Sequence, residues 1–346
     1  MRAPAAPLRA MAPIVLTAAV LTACGGGDQS AVALPGCLDL GAVYALTGPE
    51  SIGAYSWSDA TALADELQSP VAAEFPHAPL TIFGPGEESG TFDSFTELAI
   101  AGLAEERGVA EDLALPRPDY ISSPNDNVII DGVSGTPGSF GWVGHAYAQH
   151  NESVIRTFAV AGEDGRCVAP TDDAIASGEY PLSRSLYVYV NLDRAAEDEA
   201  VTSFVDGYLG DDGSAAVSEA GYVALDDEAW SQTQRAWSES GGSPGSPATG
   251  VEGDVIVSGS STVEPISSLV AEAFSAANPS AAVSVDGPGT GDGFELFCSG
   301  ETDVSDASRP IEAAEADACA DAGVRYVELK IGIDGLSLIT RRDEHG

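Results

Sequence analysis

Val255-Ile256-Val257-Ser258-Gly259-Ser260-Ser261-Thr262-Val263-Glu264-Pro265-Ile266 passes from an apolar run, through small hydroxyl residues, into a segment with helical spacing. The run Val255–Gly259 reads as a buried strand. Val263, Ile266, Leu269, Val270, Ala273 and Phe274 then line one face of the helix that follows. A strand turning into a helix through Gly, Ser and Thr is a unit of α/β folds, and it leaves helix N–H groups unpaired at the turn.

The same alternation extends in both directions. Downstream come a strand at Ala282–Val285, a glycine loop, a helix at Gly293–Cys298, and a strand Tyr326–Leu329 leading into Ile331–Ile339. Upstream, Ala60–Leu67 and Phe95–Glu106 are helical by pattern, while Pro79–Phe83, Val128–Ile130 and Val154–Val160 read as strands. Leu186–Val190 is an apolar strand followed by a helix at Glu199–Tyr208. The expected class is α/β with mostly parallel sheets. Gly241-Gly242-Ser243-Pro244-Gly245-Ser246-Pro247 is polar and unfit for a core, and marks a flexible linker over 241–250.

At 346 residues with 44% hydrophobic composition, the chain is long enough for two globular domains. Its 54 acidic and 14 basic residues give a net charge of −40, and Lys330 is the sole lysine. Such a surface repels nucleic acid and gives an anion no long-range attraction, although a Debye length of about 8 Å screens most of that field.

Arg2 and Arg9 precede an apolar run from Ala10 to Ala23 that is too short to span a bilayer comfortably. It ends in Leu21-Thr22-Ala23-Cys24 before Gly25-Gly26-Gly27, which looks like a bacterial lipoprotein signal. The expectation is a signal over 1–24 with Cys24 lipidated, a tether over 25–36, and an extracytoplasmic location at the membrane. Four cysteines remain: Cys37, Cys167, Cys298 and Cys319. In an exported chain they suggest two disulfides; of three pairings, Cys37–Cys167 with Cys298–Cys319 is the favoured one.

Three segments place glycines and hydroxyls at strand-to-helix junctions: Ser258–Thr262, Gly289-Thr290-Gly291-Asp292-Gly293, and Glu88-Ser89-Gly90-Thr91. Helix starts of this kind hold tetrahedral oxyanions without a lysine. Singly, each is an ordinary capped helix start; together with Ser305-Asp306-Ala307-Ser308-Arg309-Pro310, where hydroxyls flank a guanidinium, they form a coherent set.

These blocks, with Gly86–Phe92, Tyr44–Ser51, Asp126-Asn127 and Gly141-Trp142-Val143-Gly144, resemble the phosphate-binding proteins of phosphate ABC transporters, over nearly all of residues 37–340. The resemblance implies a two-lobed periplasmic-binding-protein (Venus-flytrap) fold closing on inorganic phosphate, with transporter permease subunits as partners. It implies a monomer, with no cofactor and no metal. Carried over by position, Ser261, Thr262, Val263, Thr290, Ser308, Ser89, Gly90 and Thr91 would contact the ligand, and Arg309 would balance its charge. One subgroup of the family has an aspartate at the position of Ser308 and an arginine at that of Pro85. With Ser308 in place, the acceptor for the proton of hydrogen phosphate would be Glu87, Glu88 or Asp306.

In the family, the Ser-Gly-Ser-Ser-Thr block precedes the Ser-Gly-Thr-Phe block; here the order is reversed. The resemblance therefore implies a circular permutation, with one lobe at 37–180, the other at 181–340, and the 241–250 linker joining the family's usual termini. One covalent hinge is expected at Pro181-Leu182-Ser183-Arg184, with the second crossing held by strand pairing alone. Alternative readings are a phosphate sensor or scavenger, or a binder of another tetrahedral oxyanion. An enzyme is disfavoured: His77, His145, His150 and His345 stand beside no Gly-x-Ser-x-Gly turn and in no metal-ligand cluster.

Overall fold

The computed structural model describes residues 33–87 and 89–342. The expected signal, Cys24, most of the tether, and Glu88 lie outside these residues.

The strands are β1 (Cys37–Leu38), β2 (Thr81–Gly84), β3 (Ile121–Ser122), β4 (Ser139–Gly144), β5 (Ile155–Thr157), β6 (Ala159–Ala161), β7 (Cys167–Val168), β8 (Ser183–Asn191), β9 (Val223–Ala224), β10 (Glu252–Gly259), β11 (Ser280–Asp286), β12 (Val304–Ala307) and β13 (Tyr326–Arg341). One sheet runs β11-β10-β12-β8-β13-β4-β2-β3, with β5 and β9 added against β13; β1, β6 and β7 form a smaller sheet. The wings are parallel, β10 with β11 and β12, and β2 with β3 and β4. Between them β12, β8, β13 and β4 pair antiparallel. Helices cover the parallel wings, as βαβ connections require.

Two core groups divide the molecule. Leu38, Tyr44, Trp57, Phe95, Phe140 and Trp142 pack with Leu336 and Leu338. Val188, Val190, Phe204, Val255, Val257 and Ile266 pack with Leu329 and Ile331. β13 therefore passes unbroken from one core to the other, with Tyr326–Gly335 on β8 and Leu336–Ile339 on β4. This corrects the expectation that the second crossing is held by pairing alone. A sixteen-residue strand at about 3.3 Å per residue is long enough to serve both halves, so both crossings are covalent.

The chain's two described ends meet one segment. Cys37 pairs with Ala159, and Ile339 pairs with Thr157. Both disulfides form as favoured, Cys37–Cys167 and Cys298–Cys319. The linker is pinned: Asp206 Oδ1 accepts from Trp237 Nε1 (2.7 Å) and from the Ser243 amide (2.6 Å), and Ser203 Oγ donates to the Ala248 carbonyl (3.2 Å).

Residues Val128–Ile130, expected as a strand, lie instead in the helix Asp126–Gly135, capped by Asn125 Oδ1 on the Asn127 amide. Ile129, Ile130 and Val133 are buried while Val128 is exposed, which is helical spacing. A second helix begins at Gly90–Phe95 and continues through a π-helical segment at Thr96–Ala101 into Gly102–Glu106.

Candidate anion-binding site

Parallel strands β10, β11 and β12 end at the same edge, and their following loops are knitted by the backbone. The Ser260 amide donates to the Asp306 carbonyl (2.9 Å), and the Gly289 amide donates to the Gly259 carbonyl (2.8 Å). Gly259 has φ of +150°, and a Cβ there would stand 2.1 Å from the Asp306 carbonyl oxygen, so only glycine fits this crossing. The crossing sets Ser261 and Thr262 ahead of the helix Glu264–Ala277, and Thr290 at the start of the helix Thr290–Cys298. Thr290 Oγ1 and Ser308 Oγ are 3.0 Å apart, and the Ser308 amide donates to Thr290 Oγ1 (3.2 Å).

The helix starting at Gly90 closes on this edge from the other half. A Cβ on Gly90 would lie 3.2 Å from Thr262 Cα. Ser261 Oγ donates to Asp93 Oδ2 (2.5 Å), and Ser94 Oγ lies 3.4 Å from Thr262 Oγ1. Arg184 reaches the same point from β8: its Nη2 is 2.9 Å from both Ser94 Oγ and Thr262 Oγ1. Arg184 Nε faces Asp334 Oδ2 (3.4 Å), which also accepts from Ser94 Oγ (2.5 Å), and Nη1 pairs with Glu97. Arg184 and Asp334 are direct cross-strand partners on β8 and β13. Burial pushes the Asp334 carboxyl up, while the Arg184 charge and the Ser94 hydroxyl pull it down, with a net upward shift. A cavity of about 200 Å³ opens beside Thr91, Tyr222 and Asp334.

The structure thus brings Ser261, Thr262, Ser89, Gly90 and Thr91 to one cleft, with the Thr290–Ser308 pair on the adjoining loops. Val263 is wholly buried; its amide donates to the Ser260 carbonyl (3.0 Å) and its side chain joins the core. Arg309 is held elsewhere. Its guanidinium donates twice to Glu315 (2.7 and 2.8 Å), nears Glu312 (3.5 Å) and sits 5.6 Å from the Phe294 ring centroid. Glu87 is exposed, on the wall of a 650 Å³ apolar groove with Ile52, Leu113 and Tyr120. Asp306 is fully buried against the helix Glu264–Ala277. There Oδ1 accepts from Ser267 Oγ (2.9 Å), Oδ2 finds no hydrogen-bond partner, and burial raises its pKa to about 8.

Sequence reasoning missed Ser94, Asp93 and Asp334, and took Arg184 as hinge alone. Only the β8–β13 register joins Arg184 to Asp334, 150 residues apart.

The site's chemistry is that of holding: clustered hydroxyls, a fixed guanidinium and helix starts. His145 does stand between Ser337 (3.2 Å) and Asp172 (3.0 Å), the residue set of a hydrolytic triad. Ser337, however, is wholly buried in β13 opposite Val143, where an acyl substrate has no approach to its hydroxyl. Among the described residues, no group of three or more His, Cys, Asp or Glu could hold a metal.

Two α/β halves crossed by two strands, with polar loops facing across a cleft, define the periplasmic-binding-protein fold. Residues 241–345 match the family model of the PBP superfamily domain. The chain is 37% identical over 161 residues to Protein SphX of Synechocystis sp., covering 46% of this chain and 44% of that one. It is 46% identical over 92 residues to the phosphate-binding protein PstS of Staphylococcus saprophyticus, covering 27% and 29%. In these alignments the chain spans about half or less of the length of the curated relatives it matches. A phosphate-binding protein of a Streptococcus pneumoniae phosphate ABC transporter shares the fold, with TM-score 0.56 and 17% identity, over 77% of this chain and 90% of that one.

Proposed function

We propose that this chain is an extracytoplasmic solute-binding protein that captures inorganic phosphate for an ABC importer. The observation that carries the reading is the convergence on one point of Ser94 from one half, Thr262 from the other, and the Arg184 guanidinium from the strand that joins them. Phosphate oxygens would take the hydroxyls of Ser261, Thr262, Thr290 and Ser308 and the helix start at Ser89–Thr91, with Arg184 supplying the positive charge. The sequence relationship to PstS and SphX supports phosphate as the ligand. Permease subunits are the partners in this reading, and the protein works as a monomer.

Cys24 would carry the lipid anchor. Among the described residues, no helix is long and apolar enough to cross a membrane. The halves, expected at 37–180 and 181–340, act as lobes, with the end of β13 docked on the first. The meeting of Cys37 and Ile339 on adjacent strands of one segment supports a permuted order, since the cut that permutes a chain leaves its new ends side by side. Calorimetric titration of the purified protein with phosphate, sulfate and arsenate tests the reading. Phosphate heat at micromolar protein is expected, and its absence overturns the proposal.

A further inference from the structure

Arg184 stands among three carboxylates. Arg184 comes from β8, Asp334 from β13, and Asp93 and Glu97 from neighbouring turns of the helical run that begins at Gly90. A phosphate dianion entering this set adds charge of the wrong sign, so one of the carboxylates must give way.

Two of them are built in. Asp334 is 2% exposed, accepts from Ser94 and faces Arg184 Nε; Asp93 accepts from Ser261 at 2.5 Å. Burial raises the pKa of both, with the hydroxyl bonds and Arg184 acting against it. Glu97 differs. Its side chain is 53% exposed, and it is held by Arg184 Nη1. The other guanidinium nitrogens are committed to the buried network, Nε to Asp334 and Nη2 to Ser94 and Thr262. Nη1 is thus the donor an oxyanion needs for a two-pronged grip on Arg184, and Glu97 occupies it. The charge of Glu97 is felt at Asp93, Asp334 and Arg309 as well. Tyr222, whose hydroxyl lies beside Gly90, stays neutral, and Asp126, Tyr147 and His150 line the cavity next to it.

We propose that Glu97 is a displaceable internal counter-ion of Arg184 that competes with the bound anion and sets its affinity. The inference rests on the phosphate reading above. On binding, a phosphate oxygen takes Nη1 and Glu97 turns to solvent, while Asp334 keeps the guanidinium oriented.

The test is calorimetric titration of wild type and Glu97→Gln with inorganic phosphate at fixed pH, alongside thermal melting of both. Glu97→Gln is expected to bind phosphate about tenfold more tightly, the worth of removing one partly screened charge. Its melting should match wild type, because Glu97 is half exposed and leaves the Arg184–Asp334 pair intact. Glu97→Asp, too short to hold Nη1 as closely, should fall between. Wild-type binding that Glu97→Gln leaves unchanged or weakens overturns this inference alone, the second result making Glu97 a closing contact. Absence of phosphate binding from both proteins overturns the underlying reading and this inference with it.

Discussion

Two arginines separate the region that looks like the site in sequence from the region the fold makes into one. Arg309 stands beside Ser308 in a hydroxyl-rich loop, yet its donors go to Glu315 on the helix Ala313–Ala322. Arg184 stands in a segment with no anion-binding signature, yet it touches hydroxyls from both halves of the molecule. In a chain of net charge −40 an exposed arginine finds a carboxylate wherever it points. Arg184 is paired as well, with buried Asp334 and half-exposed Glu97, but the β8–β13 pairing also sets its Nη2 on Ser94 and Thr262.

The Asp306–Arg309 segment offers the largest test. The Asp306 carboxyl has a folded-state pKa of about 8 against 3.8 for the unperturbed acid, because burial penalises its charge. Between those values the folded state binds the extra proton, so the contribution of this group to stability is full below about pH 4 and is lost as pH rises toward 8. The loss can reach about 1.4 kcal/mol per pH unit across that window. Asp306→Asn keeps an oxygen for Ser267 and removes the titration. It should be stabilised relative to wild type, more at pH 8 than at pH 5, in thermal melts. The same pH dependence in both proteins would show that the Asp306 carboxyl titrates as an ordinary carboxylate and is not held in the core.

Next in size is the direct comparison. Arg184→Ala should weaken phosphate binding by about a hundredfold or more, the value of two charge-assisted hydrogen bonds. Arg184→Lys keeps the charge but loses the planar fork, and should recover only part of that. Arg309→Ala should change affinity by less than about threefold, as expected of a partly exposed ion pair. Calorimetry on the three variants decides it, and a larger loss for Arg309→Ala reverses the assignment.

What was legible in the sequence follows the range of each interaction. The unit from Val255 to Phe274 carries its own period and turn chemistry, and the helix Glu199–Tyr208 its own cap at Asp198; both appear where the sequence put them. Val128–Ile130 is too short a run to show any period, so β-branched composition decided it wrongly; the start signal at Asn125 was the better guide. The hydroxyls at 89–91 and 258–262 were identified because helix starts are local features. Arg184, Ser94 and Asp334 come from a hinge strand, a helix interior and the far side of a sixteen-residue strand. Nothing within any of those segments announces that they meet.

The smallest effect concerns what supports the Arg309 region. Cys298 and Cys319 tie the helix that begins at Thr290 to the helix that carries Glu315, closing a loop of 21 residues. Chain entropy gives such a closure about 3 kcal/mol of stability. Replacing both with serine should lower the melting temperature accordingly, yet change phosphate affinity by less than about threefold, as for sites that share no partners. The bridge and the Arg309–Glu315 pair share no hydrogen bond with Thr290, which is fixed through Ser308 and the Gly289–Gly259 bond. If affinity instead falls in step with stability, the two regions are mechanically one, and Arg309 regains a part in holding the anion.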